Sequence, residues 1–502
     1  MAAQPDRRSF LSASALGTGS LAFLNNLPSV SAEDAKSDPN LVRLDSGIEP
    51  LVRLLEDTPR EKLLEEVGSR IKKGLAYRDV LTALLLAGVR NVQPRPTVGF
   101  KFHAVLVVNS AHLAALAAPD KERWLPLFWA MDNFKSSQAQ TLKESGWRMK
   151  PVNELKVPPS ERAREDFEAA MENWDEERAD AATAALARTY GPGELFDLFA
   201  RFGCRDFRDI GHKAIYVSNA FRALEVIGWQ HAEPVLRSLT YATLQHEGDN
   251  PAKRDAEPDR CGRRNVELAG KIKSDWRANK AEGQTARDLL TASRTASDEE
   301  LAQEVVRLLN AGKGTQTVWD GLYLSGGELL MRQPGIVALH TLTSLNALHY
   351  AFQRTVDENT RKLLLLQASA FVPLFRKAMK SQGKVGDSKI DELQPAEDLK
   401  DNDVGSVYTT LSKDKTAAAR LALAYMQNNP TGAKELIDAG RLLIFLKGTD
   451  SHDYKFSSAV MEDYAYLSPT LRDQFLAASL FWLKGSGAGD SSIVKRTRAA
   501  MG

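Results

Sequence analysis

Four histidines, His103, His212, His340 and His452, recur at intervals of roughly 110 to 130 residues and make up half of the eight in the chain. Each follows a glycine by one to five positions and opens an apolar stretch of helical periodicity. The stretches overlay: HAVLVVNSA from His103, HKAIYVSNA from His212, HTLTSLNA from His340 and HDYKFSSA from His452. In each, Asn or Ser stands beside Ala about two turns after the histidine. A signature repeated along a chain implies supersecondary units stacked on one another. The expected fold is therefore all-α, a multi-helical array closed as a ring or open as a solenoid around a histidine-lined cavity. Where equivalent faces converge, four imidazoles meet near one axis and bind a transition metal or line a polar active site. The alternative is four helix-start histidines satisfied by backbone carbonyls and packed between helices.

Helical geometry separates these four from their neighbours. His112 and His349 each lie nine residues after the first histidine of their unit. Nine residues turn through about 900°, half a turn beyond a whole number, so both face away from His103 and His340. His231, just after Trp229 and near Glu233 at a helix start with Pro234, is a candidate general base or ligand, with Glu233 as its carboxylate. His246 lies at the end of that helix, where a histidine also caps carbonyls. Asp209 sits where it can orient the His212 imidazole or cap its helix. Lys455, one turn past His452, can pair with Asp453 or serve the site, and Tyr464 and Tyr466 add hydroxyls to the same element. Asp320 and Glu328, upstream of the third unit, could complete a metal sphere, though caps and surface charge are the favoured account of them.

The start of the chain fixes the expected compartment. Asp6-Arg7-Arg8-Ser9-Phe10-Leu11 reads as a twin-arginine motif, followed by a weakly apolar segment from Ala13 to Leu27 and a Val30-Ser31-Ala32 cleavage site. Residues 1–32 are read as a signal handled by the twin-arginine export machinery, which leaves the protein periplasmic or secreted. The apolar segment holds Gly17, Gly19 and two asparagines and makes a poor membrane span. The two cysteines, Cys204 and Cys261, allow one disulfide at most, and no CxxC or CxxCH motif exists for haem attachment or a zinc-thiolate site.

A formal net charge of +1 and no basic stripe with interleaved aromatics argue against a nucleic-acid partner. Gly312-Lys313-Gly314-Thr315 lacks phosphate-loop spacing and follows a helix rather than a strand. The remaining chain, 33–484, reads as a single large helical domain. Polar excursions are expected at 135–175, 249–266 and 380–410, and a flexible tail at 485–502. Arg260, Arg263 and Arg264 in the second excursion could attract an anionic group beside the candidate site, or be balanced by Asp255 and Asp259.

The phrases HAVLVVNSAH from His103, GHKAIYVSNAFRALEVIG from Gly211, ALHTLTSLNAL from Ala338 and GTDSHDYK from Gly448 resemble the histidine-bearing helices of the questin oxidase-like family, over roughly residues 75–480. The resemblance implies an all-helical oxygenase acting on aromatic polyketides, with His103, His212, His340 and His452 at the matching helix positions. That family's oxidation draws on a cytosolic reduced nicotinamide, whereas this chain reads as exported. Together these readings give an exported metal-dependent oxidoreductase, oxygenase or oxidase, in which iron or copper, with zinc as the other candidate, meets a small organic substrate. The competing readings are a zinc-dependent hydrolase and a non-catalytic helical-repeat binding protein.

Overall fold

The computed structural model describes residues 38–277, 280–397 and 403–502, and the expected signal at 1–32 lies outside them. Among the described residues the chain is an array of 22 α-helices with no strand. Four of them form the centre: α4 (His103–Ala117), α9 (His212–Ile227), α15 (Ile336–Arg354) and α20 (Ser451–Tyr466). Each packs on the next, α4 on α9, α9 on α15, α15 on α20 and α20 back on α4, so the four close a ring. Their histidines gather at one end, and Asn109, Asn219, Asn346 and Ser458, six or seven residues on, line one cavity between them. The four helices therefore run in the same direction. The repeated Asn or Ser beside Ala is the mark of the interior of this ring.

Parallel helices need return paths, and the other helices supply them as an outer layer. Outside α4 lie α3 (Tyr77–Asn91) and α5 (Leu125–Glu144), and α8 (Pro192–Gly203) and α10 (Ala232–Thr243) cover α9. Against α15 pack α14 (Thr315–Arg332) and α16 (Glu358–Met379), with α19 (Gly432–Lys447) and α21 (Arg472–Ser479) against α20. Position decides composition. In α4 every residue from His103 to His112 is buried, because ring and outer layer enclose it on all sides. By length and composition Phe100–Ala117 could cross a membrane, but 78% of it is buried inside the fold, as in a core helix. The peripheral α13 (Asp298–Asn310) buries only one face, through Leu301, Ala302, Val305, Val306, Leu308 and Leu309. Its first turn is fixed by a capping box between Ser297 and Glu300.

The polar excursions are more ordered than their composition suggests. Residues 135–144 belong to α5, where Lys135 is buried because its amine donates to the Leu55 carbonyl at 3.1 Å and the Glu56 carbonyl at 2.6 Å. Nearly half of the rest is α6 (Ser160–Asn173), packed on α7 (Glu176–Thr189). The second excursion turns helical at α11 (Glu257–Ala269), and the third at α17 (Val404–Leu411). The tail forms α22 (Ser492–Met501), which lies on α2 (Arg60–Lys72). There Arg498 pairs with the buried Glu122 at 2.7 Å and Arg496 with Asp132 at 3.1 Å. Local charge density suggests solvent for these segments, but long-range ion pairs bring them onto the fold.

The entry to α9 is strained. Asp209, Ile210 and Gly211 all have positive φ, at 51°, 46° and 80°, a conformation costly for the two residues that carry a β-carbon. At Gly211 a β-carbon would stand 2.1 Å from Ser344 Oγ on α15. Gly211→Ala should therefore lower stability by about 2–4 kcal/mol and push α9 off α15. Chemical-denaturation midpoints check this, and adding Ser344→Gly should restore part of the loss, since it removes the obstruction but not the left-handed backbone.

Candidate metal centre

One ligand atom from each of His103, His212, His340 and His452 lies within 4.8 Å of every other, and all four residues are buried. His212 Nε2 stands 2.7 Å from His103 Nε2 and 3.1 Å from His340 Nε2. Nitrogen donors around one ion, at bonds of about 2.0–2.1 Å, are separated by about 2.9–3.3 Å, which matches this spacing. The converging arrangement expected from the repeat is what the fold provides.

The outward nitrogens fix how each ring is protonated. His340 Nδ1 donates to the Ile336 carbonyl at 2.6 Å, one turn back on its own helix. His212 Nδ1 donates to the Asp209 carbonyl, which the left-handed turn brings round to the ring. His452 Nδ1 donates to the Asp450 carboxylate, which also caps α20 by accepting from the His452 amide at 2.8 Å. A carbonyl only accepts, so these rings carry their proton on Nδ1 and present a bare Nε2 lone pair inward.

That arrangement cannot be satisfied by protein alone. His103 can donate one proton from Nε2 to His212, but His212 and His340 then face each other at 3.1 Å with two lone pairs and no proton between them. His452 Nε2 is buried with no hydrogen-bond partner among the described residues. Adding protons is opposed by the surroundings: burial holds His103, His212 and His340 well below the ordinary imidazole range, and neighbouring charge adds to it, Lys455 for all three. The converging N-termini of four parallel helices, each equivalent to about half a positive charge, act in the same sense. A single metal cation uses every inward lone pair at once, and the ring partners are those that usually orient metal-bound histidine. The residues fit a transition metal.

The other candidates that the sequence singles out lie elsewhere. His112 faces outward as expected, with its Nδ1 3.0 Å from the Tyr77 hydroxyl. His349 does likewise, packed against Trp319 and Tyr323. His231 ends a short turn ahead of α10, and Glu233 pairs with Arg188 at 2.7 Å. Neither joins the four imidazoles, because α10 belongs to the outer layer. His246 packs edge-on against Trp174. Asp320 accepts from Ser468 and Gln316, and Glu328 pairs with Arg294, so both carboxylates serve the outer layer. Arg260 and Arg263 are held by Asp255 and Arg264 by Asp298. Cys204 and Cys261 are buried free thiols, each pushed up to about 12 by burial. The functional residue that sequence patterning misses is Asp450, whose one signal is its place as the N-cap two residues before His452.

Comparison with protein-family models, with curated proteins and with solved structures finds no match to this chain.

Burial pushes His349 down to about 3, so it is neutral in the folded protein and charges readily only when unfolded, near pH 6.5. Its contribution is present above pH 6.5 and is lost as pH falls from there toward 3. His349→Phe should flatten the fall in stability between pH 6 and pH 4 by up to about 1.4 kcal/mol per pH unit. Denaturation midpoints across that range provide the measurement, and parallel pH curves for the two proteins would contradict the assignment.

Proposed function

We propose that this chain is an exported metal-dependent oxidoreductase whose four-imidazole group holds iron or copper. The observation that carries this reading is the set of inward Nε2 lone pairs that no proton can satisfy in so buried a place. Bound there, the ion supplies one-electron exchange with a substrate. A hydrolytic zinc site keeps an open position for water beside three protein ligands, whereas four imidazoles from one closed ring favour electron exchange over that arrangement.

The chain's own residues set the conditions. Asp450 and the carbonyls of Asp209 and Ile336 hold three rings in their tautomer, and the ring of helices keeps bulk water away. The cavity that the four helices line, of about 20 Å3, has room for one water-sized molecule. The organic substrate, of the aromatic class implied by the resemblance to questin oxidase-like proteins, gives up its electrons from outside the ring, with dioxygen as acceptor. That makes the chain an oxidase. Twin-arginine export, which carries folded proteins, suits a centre loaded before transport.

Elemental analysis of protein purified without a histidine tag should find about one iron or copper per chain, with visible absorption or an electron paramagnetic resonance signal. One zinc per chain and no colour would favour the hydrolase. No stoichiometric metal would favour the binding protein.

His212→Ala and His340→Ala should each lower metal retention about tenfold or more, while His112→Ala and His349→Ala leave it nearly intact. Equal retention in all four purified variants would reject the centre.

A further inference from the structure

Lys455 is 3% exposed, and its Nζ has no hydrogen-bond acceptor among the described residues. Asp453, its expected partner, instead pairs with Lys484 at 3.0 Å. Lys455 stands one turn along α20 from His452 and lines the cavity of about 20 Å3 inside the ring, room for one water-sized occupant. The polar groups around that cavity are already engaged. Asn109 donates to Asn219 at 3.1 Å, Asn219 to the Leu106 carbonyl at 3.0 Å, and Asn346 to Glu462 at 2.8 Å. Among the described residues Glu462 is the only carboxylate lining it, and Arg222 neutralises it through two contacts of 2.9 Å. Asp450, the acid that most supports the Lys455 charge, is itself engaged by His452. The cavity thus carries one uncompensated amine.

We propose that this cavity is a binding site for a monatomic anion such as chloride, held by Lys455 Nζ. An ammonium with no acceptor offers three donors to such a guest, and an anion gains more from them than water does. Burial already brings Lys455 down to about 7, so the amine exchanges a proton easily when an anion arrives or leaves.

The site does not rest on the oxidase reading: chloride, a monatomic anion of about the size of a water, suits both the amine and the space beside it.

Crystals of the full chain soaked in bromide should show an anomalous peak within hydrogen-bonding reach of Lys455 Nζ. In solution, chloride should raise the unfolding midpoint of the wild type. Lys455→Met and Lys455→Gln should lose the bromide peak and weaken chloride binding about tenfold or more, at unchanged metal content. Either variant should fold, since removing an unpaired buried amine relieves a desolvation cost. Bromide absent from the wild type, or retained in both variants, overturns the anion site. The same diffraction data report separately on the metal through its own anomalous peak among the four imidazoles. Bromide without metal would leave the anion site standing and the oxidase reading fallen, and metal without bromide the reverse.

Discussion

A neutral imidazole has one lone pair to give, and four of them turned on a single point in a sealed interior leave one another unsatisfied. The rest of the architecture follows from holding them there. To bring four rings to one place from four stretches more than a hundred residues apart, the chain runs four helices in parallel and starts each at the same level. Parallel helices cannot be joined by short turns, so each is followed by outer helices that carry the chain back. The second layer is thus a requirement of connectivity before it is a source of stability.

Starting the helices together has an electrostatic effect as well. Their positive ends make the site hostile to imidazolium, and so keep the nitrogens in the state that a metal can use. The same field would repel a dication if nothing opposed it. The acceptors on the outward nitrogens do so, two carbonyls and the Asp450 carboxylate, the last lying at the more solvent-exposed edge of the group. The strained turn at Asp209 and Ile210 fits this picture, for without its left-handed backbone no carbonyl would reach back to His212. Strain concentrated beside a site is a common companion of function.

Much of this is legible in the sequence because periodicity carries geometry. The spacing of histidine and Asn or Ser places both on the inner face of each helix, and the nine-residue offset of His112 and His349 turns them outward. What periodicity cannot say is which helices are inner. His231 and Glu233 look as plausible locally as His212, yet they head an outer-layer helix, a distinction decided by contacts across the whole chain. The excursions and the tail mislead for a related reason. The charges of the tail find partners hundreds of residues away, such as Glu122 for Arg498, and those of the excursions find theirs nearer, such as Asp298 for Arg264, so local polarity indicates a surface but not its disorder. Lys455 is ambiguous in the sequence because its neighbour there, Asp453, is taken up by Lys484 in the fold.

The closed ring also governs when the centre can exist. His103 and His212 lie early in the sequence, but α20, which completes the ring and brings His452, is synthesised after the other three ring helices. Until it docks, α4 and α15 each lack a neighbour, and the three earlier histidines form an open, solvent-reachable set with different metal preferences. A nascent chain therefore passes through a stage at which a wrong ion can bind first. If the centre takes its metal as the ring closes, the ion would be set by what the surrounding compartment offers at that moment, and the helices that enclose the four imidazoles would then oppose its exchange.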